Sequence, residues 1–587
     1  MDGSRPAVTG TPPDDVDVAT RRPSLGAGLL WLAPLGFLAI FFFYPLAAIL
    51  VASFARSLAG PLAPWADLFA RPSFPRVVGF TLAQALASTA LTLMLGLPAA
   101  YLVGRHTFRG RSLLLALTAV PFVMPTVVVA AAFTALLGPR GWVNVALMEM
   151  LHLEAPPIAF VHTLTAILVA HVFYNTTIVV RLVGDFWSHL DPRQTEAAQV
   201  LGASRAHAWR TVTLPLLLPA IAAASALVFL FDFTSFGVIL LLGGPRFSTL
   251  EVEIYTQTVG LLNLPIAATL ALIQLACTLA LSGVYTALAR RVNRPLTLQP
   301  AHLAQQPLAG ARQRWLAAAV VVALSVFLLA PLGALALRSV TRLDPERGQT
   351  SLPAPAITLA YYRALGENPR QSIFHAAPAT AIGVSLTYAA ITVVLSLALG
   401  MPAAWMLARR PDDFLSRLVD PLLLLPLGTS AVTLGLGFTL ALAAPPLDLR
   451  TSPVLIPLAH TLVAFPFVVR SLLPPLRSLQ PRLRQAASVL GAAPARVFRT
   501  IELPLIARAL LLASAFSFTI SLGEFGATTI LARPEFPTLP VAIYRYLSRP
   551  GALNYGQALA MSTILMIVCA AAMLALEKLR FGEQGEF

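Results

Sequence analysis

The chain has 587 residues, 57% hydrophobic and 11% charged, with a net charge of +15 and a mean hydropathy of +0.76. A soluble protein of this size would carry about 25% charged residues, so a water-soluble fold is excluded. Nor does the basic balance indicate nucleic acid, because the arginines sit mainly in short loops between apolar runs, where membrane orientation accounts for them.

In chain order, residues 1–25 are polar and no small-residue cleavage site follows them. They read as a disordered cytosolic tail ahead of an uncleaved first span. The run 29–54, LLWLAPLGFLAIFFFYPLAAILVASF, exceeds the ~20 residues that cross a bilayer as a helix. Comparable runs follow near 78–104, 112–137, 158–182, 213–241, 265–288, 315–338, 379–407, 416–443, 453–474, 503–531 and 557–577. The expectation is an all-α polytopic membrane protein with about twelve spans. They form a first repeat over 26–290 and a second over 314–580, with a cytosolic linker at 291–313 and a cytosolic tail at 581–587. With the first tail inside, the arginine-bearing loops 105–111, 289–295 and 408–417 and the end 577–580 face the cytosol. Both termini of this multi-pass chain of the cell (inner) membrane are then cytoplasmic. Arg56, Arg71 and Arg76 fall in outer loops, so the bias supports this topology without carrying it alone.

Two passages interrupt the apolar pattern. Residues 196–215 read EAAQVLGASRAHAWRTVTLP and residues 485–504 read QAASVLGAAPARVFRTIELP, with Gly202 matching Gly491, Trp209 matching Phe498 and Pro215 matching Pro504. The segments 171–181 and 236–255 recur at the same offset as 460–470 and 525–544, and GLPAAY (96–101) recurs as GMPAAW (400–405). A repeat of this length is settled before any fold is assigned. Six spans per copy is an even number, so both copies enter the membrane in the same direction, as a parallel repeat.

The polar passages carry helix punctuation. Asp191 is suited to cap a helix and Pro192 to its first turn, Gly202 to a left-handed stop, and Ser204 to capping a second short helix before Leu214-Pro215 opens the next span. In the second copy Pro494 takes a first-turn position. The result is a helix–turn–helix bracket on the cytosolic side. Small alanines, an aromatic anchor and fringing arginines suit contact with another protein; an amphipathic helix resting on headgroups has a similar composition. Two copies with matching glycines favour two symmetric docking sites.

Ionisable groups also fall inside spans, where they are costly and normally face a cavity or a partner. Asp232 and Ser235 lie in FLFDFTSFG, and Glu524 occupies the place of Ser235 in the second copy. Asp232 and Glu524, one per half, are expected to line a central path and attract a cationic solute, against a packing and capping role beside Gly237 and Gly526. Asn175, Thr176 and Thr177, whose counterparts are apolar, read as interhelical hydrogen-bonding groups. The recurring His171 and His460 read as helix contacts, with no spacing for a metal site. Cys277 and Cys569 lie in apolar runs and read as packing residues. The single lysine, Lys578, is followed by Leu579, so no GxxxxGK[ST] phosphate loop exists. No nucleophile–base constellation is present either, and catalysis is not expected.

The stretch EAAQVLGASRAHAWRTVTLPLLLPAI (196–221) resembles the EAA loop of ATP-binding cassette (ABC) importer permeases, and its second copy is a variant with Gln485 in place of the glutamate. The two-copy single chain is similar to the fused permeases of ferric-iron and thiamine importers; AHVFYN (170–175), IYTQ (254–257) and ALIQLAC (271–277) lie nearest the thiamine branch. The resemblance implies the type I ABC importer permease fold. It further implies that Glu196, Ala197, Gly202 and Trp209 seat one cytosolic ATPase subunit, and that Gln485, Ala486, Gly491 and Phe498 seat the other. An extracytoplasmic solute-binding protein would deliver solute, ATP would be bound by the partner subunits, and the chain would need no cofactor or metal of its own. The rival reading is an ion-coupled secondary transporter, which can also carry six plus six spans but leaves the twin brackets unexplained.

Overall fold

The computed structural model describes residues 25–54, 60–292, 305–342, 357–367, 377–411, 413–442, 448–449 and 452–581. Residues 1–24 of the expected first tail, 293–304 of the expected linker and 582–587 of the expected last tail lie outside them. Among the described residues, eleven helices are long and apolar enough to cross a membrane. The first repeat comprises α1 (Leu30–Ser53), α2 (Ser73–Arg105), α3 (Arg111–Val123), α4 (Thr126–Leu137), α5 (Leu164–Ser188), α6 (Pro192–Val200), α7 (Leu214–Phe233), α8 (Leu250–Tyr255) and α9 (Leu264–Val292). The second comprises α10 (Gly310–Ser339), α11 (Pro378–Arg409), α12 (Phe414–Leu424), α13 (Ala431–Ala441), α14 (Leu455–Ser478) and α15 (Pro481–Val489). It continues through α16 (Leu503–Gly523), α17 (Gly526–Leu531), α18 (Leu539–Leu547) and α19 (Ala552–Phe581).

Several expected spans are not single helices. The run 112–137 is broken between α3 and α4, where Pro125 biases Met124 away from helical geometry and Met124 is extended (φ −67°, ψ 133°). The run 416–443 is broken in the same place, between α12 and α13, by a tight turn at Leu425–Gly428 that contains Pro426. Ser430 then caps α13, its hydroxyl oxygen accepting from the backbone N–H groups of Val432 (3.1 Å) and Thr433 (3.3 Å). The runs 213–241 and 503–531 break after Phe233 and Gly523. At their other ends they begin earlier than expected. Arg205–Ala208 and Pro494–Val497 lead through wide π-type turns, Trp209–Thr213 and Phe498–Glu502, straight into α7 and α16.

Within each repeat, α2 lies along α5 and α11 along α14. Glycine permits the approach at one equivalent point. A Cβ on Gly96 would stand 2.7 Å from Val179 Cβ, and one on Gly400 would stand 2.6 Å from Val468 Cγ1. Small residues at helix crossings are the usual means of close packing in lipid. Between repeats, the first helices are exchanged. Trp31, Phe37 and Phe42 of α1 are buried in a core with Ala404, Phe438 and Phe465 of the second repeat. Phe327 of α10 packs on Phe173 of α5 (6.0 Å between ring centroids), and Trp142 donates to the carbonyl of Ala334 (3.3 Å). The last helices do the same: α19 packs on α3 and α4, and α9 on α13. Each broken third span is thus held by helices of the other repeat.

Candidate functional site

The two brackets fold as their local sequences dictate. Asp191 accepts from the backbone N–H of Arg193 (2.9 Å) at the start of α6, and Ser204 accepts from that of His207 (3.2 Å). At the end of α6, Gly202 takes φ +92°, its N–H bonds the carbonyl of Gln199 (3.0 Å) and the N–H of Ala203 bonds that of Ala198 (3.0 Å). This paired closure is a Schellman stop. It recurs after α15, with Gly491 at φ +78° and bonds from Gly491 to Ser488 and from Ala492 to Ala487, each 3.0 Å. Among the described residues nothing lies within 4 Å of where a Cβ would stand on either glycine, so backbone conformation, not space, demands glycine there. Glu196, Ala197, Gln485 and Ala486 are exposed, Trp209 is exposed and Phe498 half-buried.

The structure adds a feature the sequence reading missed. Val200 and Leu201 are 87% and 89% exposed, and their counterparts Val489 and Leu490 are 87% and 86% exposed. In sequence these pairs pass as the continuation of an apolar helix face. The Schellman turn points them outward, and the signal was their adjacency to a left-handed glycine in both copies. A bare apolar pair in each bracket, at one equivalent place, is what a helix-seating groove needs.

Asp232, Ser235 and Glu524 stand at the helix breaks. Asp232 is buried and its Oδ1 accepts from Asn175 Nδ2 (2.7 Å), with His171 Nδ1 at 3.4 Å. His171 also hydrogen-bonds Ser88 (3.0 Å) and, through Nε2, Ser235 (2.8 Å). Glu524 is buried too. It accepts from the backbone N–H groups of Ala527 (2.8 Å) and Thr528 (2.9 Å) at the start of α17, and from the Thr528 hydroxyl. His460 Nε2 lies 3.3 Å from it, and His460 also bonds Ser521 and Thr528 (2.8 Å each). Each repeated histidine thus contacts neighbouring helices, as expected, and also has a carboxylate beside it, Asp232 or Glu524, that is too distant along the chain for spacing to show. Of the hydroxyls expected to bridge helices, Thr177 reaches the carbonyl of Thr118, while Thr176 bonds the carbonyl of Val172 in its own helix (2.6 Å).

The repeats meet along a seam at these breaks. Phe236 stacks on Phe525, its counterpart, at 5.7 Å and 27°. Tyr255 packs on Phe236 (5.3 Å) and its counterpart Tyr544 on Phe525 (5.6 Å). Beside this quartet, buried Glu251 of α8 accepts from Gln274 (3.0 Å) and from the hydroxyl of Ser430, the cap of α13 in the other repeat. Glu251 escaped the sequence reading because Pro540 stands at the equivalent place. Among the described residues, no group of three or more His, Cys, Asp or Glu side chains could hold a metal ion.

Two copies of one helical unit, each embracing the other and each bearing an outward bracket, define a fused two-unit membrane permease. Residues 92–294 and 400–579 each match the family described as binding-protein-dependent transport system inner membrane component. The chain belongs to that family, the permease subunits of ABC importers, which are not themselves enzymes. It is 28% identical over 571 residues to the thiamine transport system permease protein ThiP of Salmonella typhimurium, covering 96% of this chain and 98% of that one. It is 27% identical over 570 residues to the corresponding protein of Escherichia coli, covering 96% and 98%. A putative 2-aminoethylphosphonate transport system permease protein, PhnU of Salmonella paratyphi A, is 30% identical over 268 residues, 45% of this chain and 92% of that one. Among solved structures, a bacterial ABC transporter that imports the acidic polysaccharide alginate aligns over 46% of this chain and 96% of its own, with 20% identity and a TM-score of 0.39.

Proposed function

We propose that this chain is the permease of a thiamine importer, powered through its two brackets by separate cytosolic ATPase subunits and supplied by a solute-binding protein on the opposite face. The observation that carries the importer mechanism is the doubled bracket, capped by the same left-handed glycine and baring the same Val-Leu pair in both repeats. Glu196, Ala197 and Trp209 with Gly202, and Gln485, Ala486 and Phe498 with Gly491, flank those pairs as the two seats. Both termini then lie on the cytosolic side with the brackets. For the solute, thiamine is favoured over ferric iron by a likeness to thiamine permeases that runs through both repeats and nearly the whole chain.

The path follows the seam. The aromatic quartet closes it in this conformation, and its π faces suit a flat organic cation once the repeats part. Asp232, Ser235 and Glu524 border the path as clasps at the helix breaks. ATP-driven closure of the partner subunits would move the brackets and rock the repeats, which requires ligand states with different affinities for the two conformations.

The test is co-purification in detergent followed by labelled thiamine uptake into proteoliposomes holding the full complex. Uptake that requires ATP and the binding protein supports the reading. Uptake by the isolated chain under a proton or sodium gradient, without ATP, would replace it with the secondary-transporter reading. Uptake of ferric iron but not thiamine would keep the mechanism and change the solute. If Asp232→Asn and Glu524→Gln together leave uptake unchanged, those side chains have no part in the path.

A further inference from the structure

Each bracket is tied back to its own repeat at one equivalent position, and the two ties differ in kind. In the second repeat the tie is Glu502, the last residue of the wide turn before α16, whose side chain is 2% exposed. Its Oε1 accepts from Arg409 Nη2 at 2.5 Å, at the end of α11, and lies 3.6 Å from Arg484 Nη1 on α15. Its Oε2 accepts from Trp405 Nε1 (3.3 Å), and the Arg409 guanidinium lies 3.7 Å from the centroid of the Trp405 ring. One buried carboxylate therefore joins the bracket helix, the root of α16 and the end of α11.

The corresponding residues of the first repeat are Thr195, Thr213, Arg105 and Tyr101. There the Thr195 and Thr213 hydroxyls share a single neutral hydrogen bond (3.0 Å). Tyr101 turns instead to His106 (3.4 Å) and to the ring of Trp187 (5.2 Å). His106 in turn meets the backbone carbonyl of Gln306 (3.3 Å) just before the second repeat. The end of α2 is thus fastened to the connection between repeats, and the end of α11 to its bracket. Hydrogen bonds between charged groups are shorter and roughly twice as strong as neutral ones, and a guanidinium fork resists rotation in a way that a hydroxyl does not.

We infer that Glu502 is a positioning residue that gears the second bracket to α11, so that displacement of α15 reaches the membrane helices of the second repeat directly, while the first bracket is geared loosely. The inference rests on the reading of the brackets as ATPase seats. Its test is the number of ATP molecules hydrolysed per thiamine imported, measured on the full chain with its ATPase and binding protein in proteoliposomes. Arg484→Gln is the informative change, because Arg484 is 30% exposed and its loss leaves Glu502 paired with Arg409. It is expected to raise the ratio about fivefold or more, the lower edge of ordinary coupling between sites. Arg484→Lys, which keeps the charge, should stay within about twofold of the unsubstituted chain, and Thr195→Val, which removes only a neutral bond, should also shift the ratio by less than about twofold. A merely structural tie would lower hydrolysis and import together; that result, or an unchanged ratio, overturns the inference. Failure of the underlying reading is distinguishable, since no ATPase would then co-purify with the unsubstituted chain.

Discussion

The two repeats share a backbone plan and differ in where they place charge. The first presents a glutamate outward at the bracket, Glu196, and holds that bracket from behind with two threonines; the second presents a neutral Gln485 and holds its bracket with Glu502 between two arginines. The helix breaks differ likewise. Glu524 has both carboxylate oxygens occupied by donors at the start of α17, whereas Asp232 uses one and its Oδ2 meets no hydrogen-bond donor among the described residues. Arg181 pairs with Glu577 of the other repeat (2.6 Å), while its counterpart Arg470 pairs inside its own repeat with Asp420 (3.2 Å). A duplicated unit keeps the geometry that both copies need and lets the electrostatics of each drift toward a separate task.

The largest effect on subunit recovery should come from the feature that the repeats share, and the largest on stability from the clasps. Gly202→Val and Gly491→Val each force a side chain into a left-handed position, at a cost of about 1–2 kcal/mol. Recovery of the ATPase subunit in a pull-down should fall about tenfold per site, and further when both are changed. A loss at one site only would break the symmetry of the seats. Next come the clasps. Glu524→Gln should lower thermal stability in detergent by about 2–3 kcal/mol, since it weakens several buried charge-assisted bonds, and Asp232→Asn by about 1 kcal/mol or less, since an amide keeps Oδ1 as acceptor for Asn175. Equal shifts would show that the two carboxylates are equivalent after all. The ion pairs should follow. Glu577→Gln, at a site 5% exposed, should cost about 1–2 kcal/mol, against under about 1 kcal/mol for Asp420→Asn in the open pair. Smallest is Glu196→Gln, which makes the first bracket resemble the second and should weaken ATPase recovery by under about 1 kcal/mol.

Much of this plan was legible because it is local. The caps at Asp191, Ser204 and Gly202 depend on neighbours within a few residues, and each formed where the residue types allow it. Hydropathy located the spans because length and apolarity suffice to do so. It did not reveal their breaks, since Pro125 and Pro426 sit inside runs that remain apolar on both sides of the interruption. Pairings across long stretches of chain were out of reach for a different reason. His171 with Asp232, His460 with Glu524 and Glu251 with Ser430 are joined only by folding. The outward Val-Leu pairs were hidden by their own character, because an apolar residue on a helix is ordinarily taken for core.

The exchanged first helices carry a mechanical consequence. With α1 seated in the second core and α10 against the first, a peptide cut between residues 292 and 305 would leave two fragments still interlocked, and they should travel as one particle through a sizing column. By the same token, when the repeats part, each core must carry the other repeat's first helix with it.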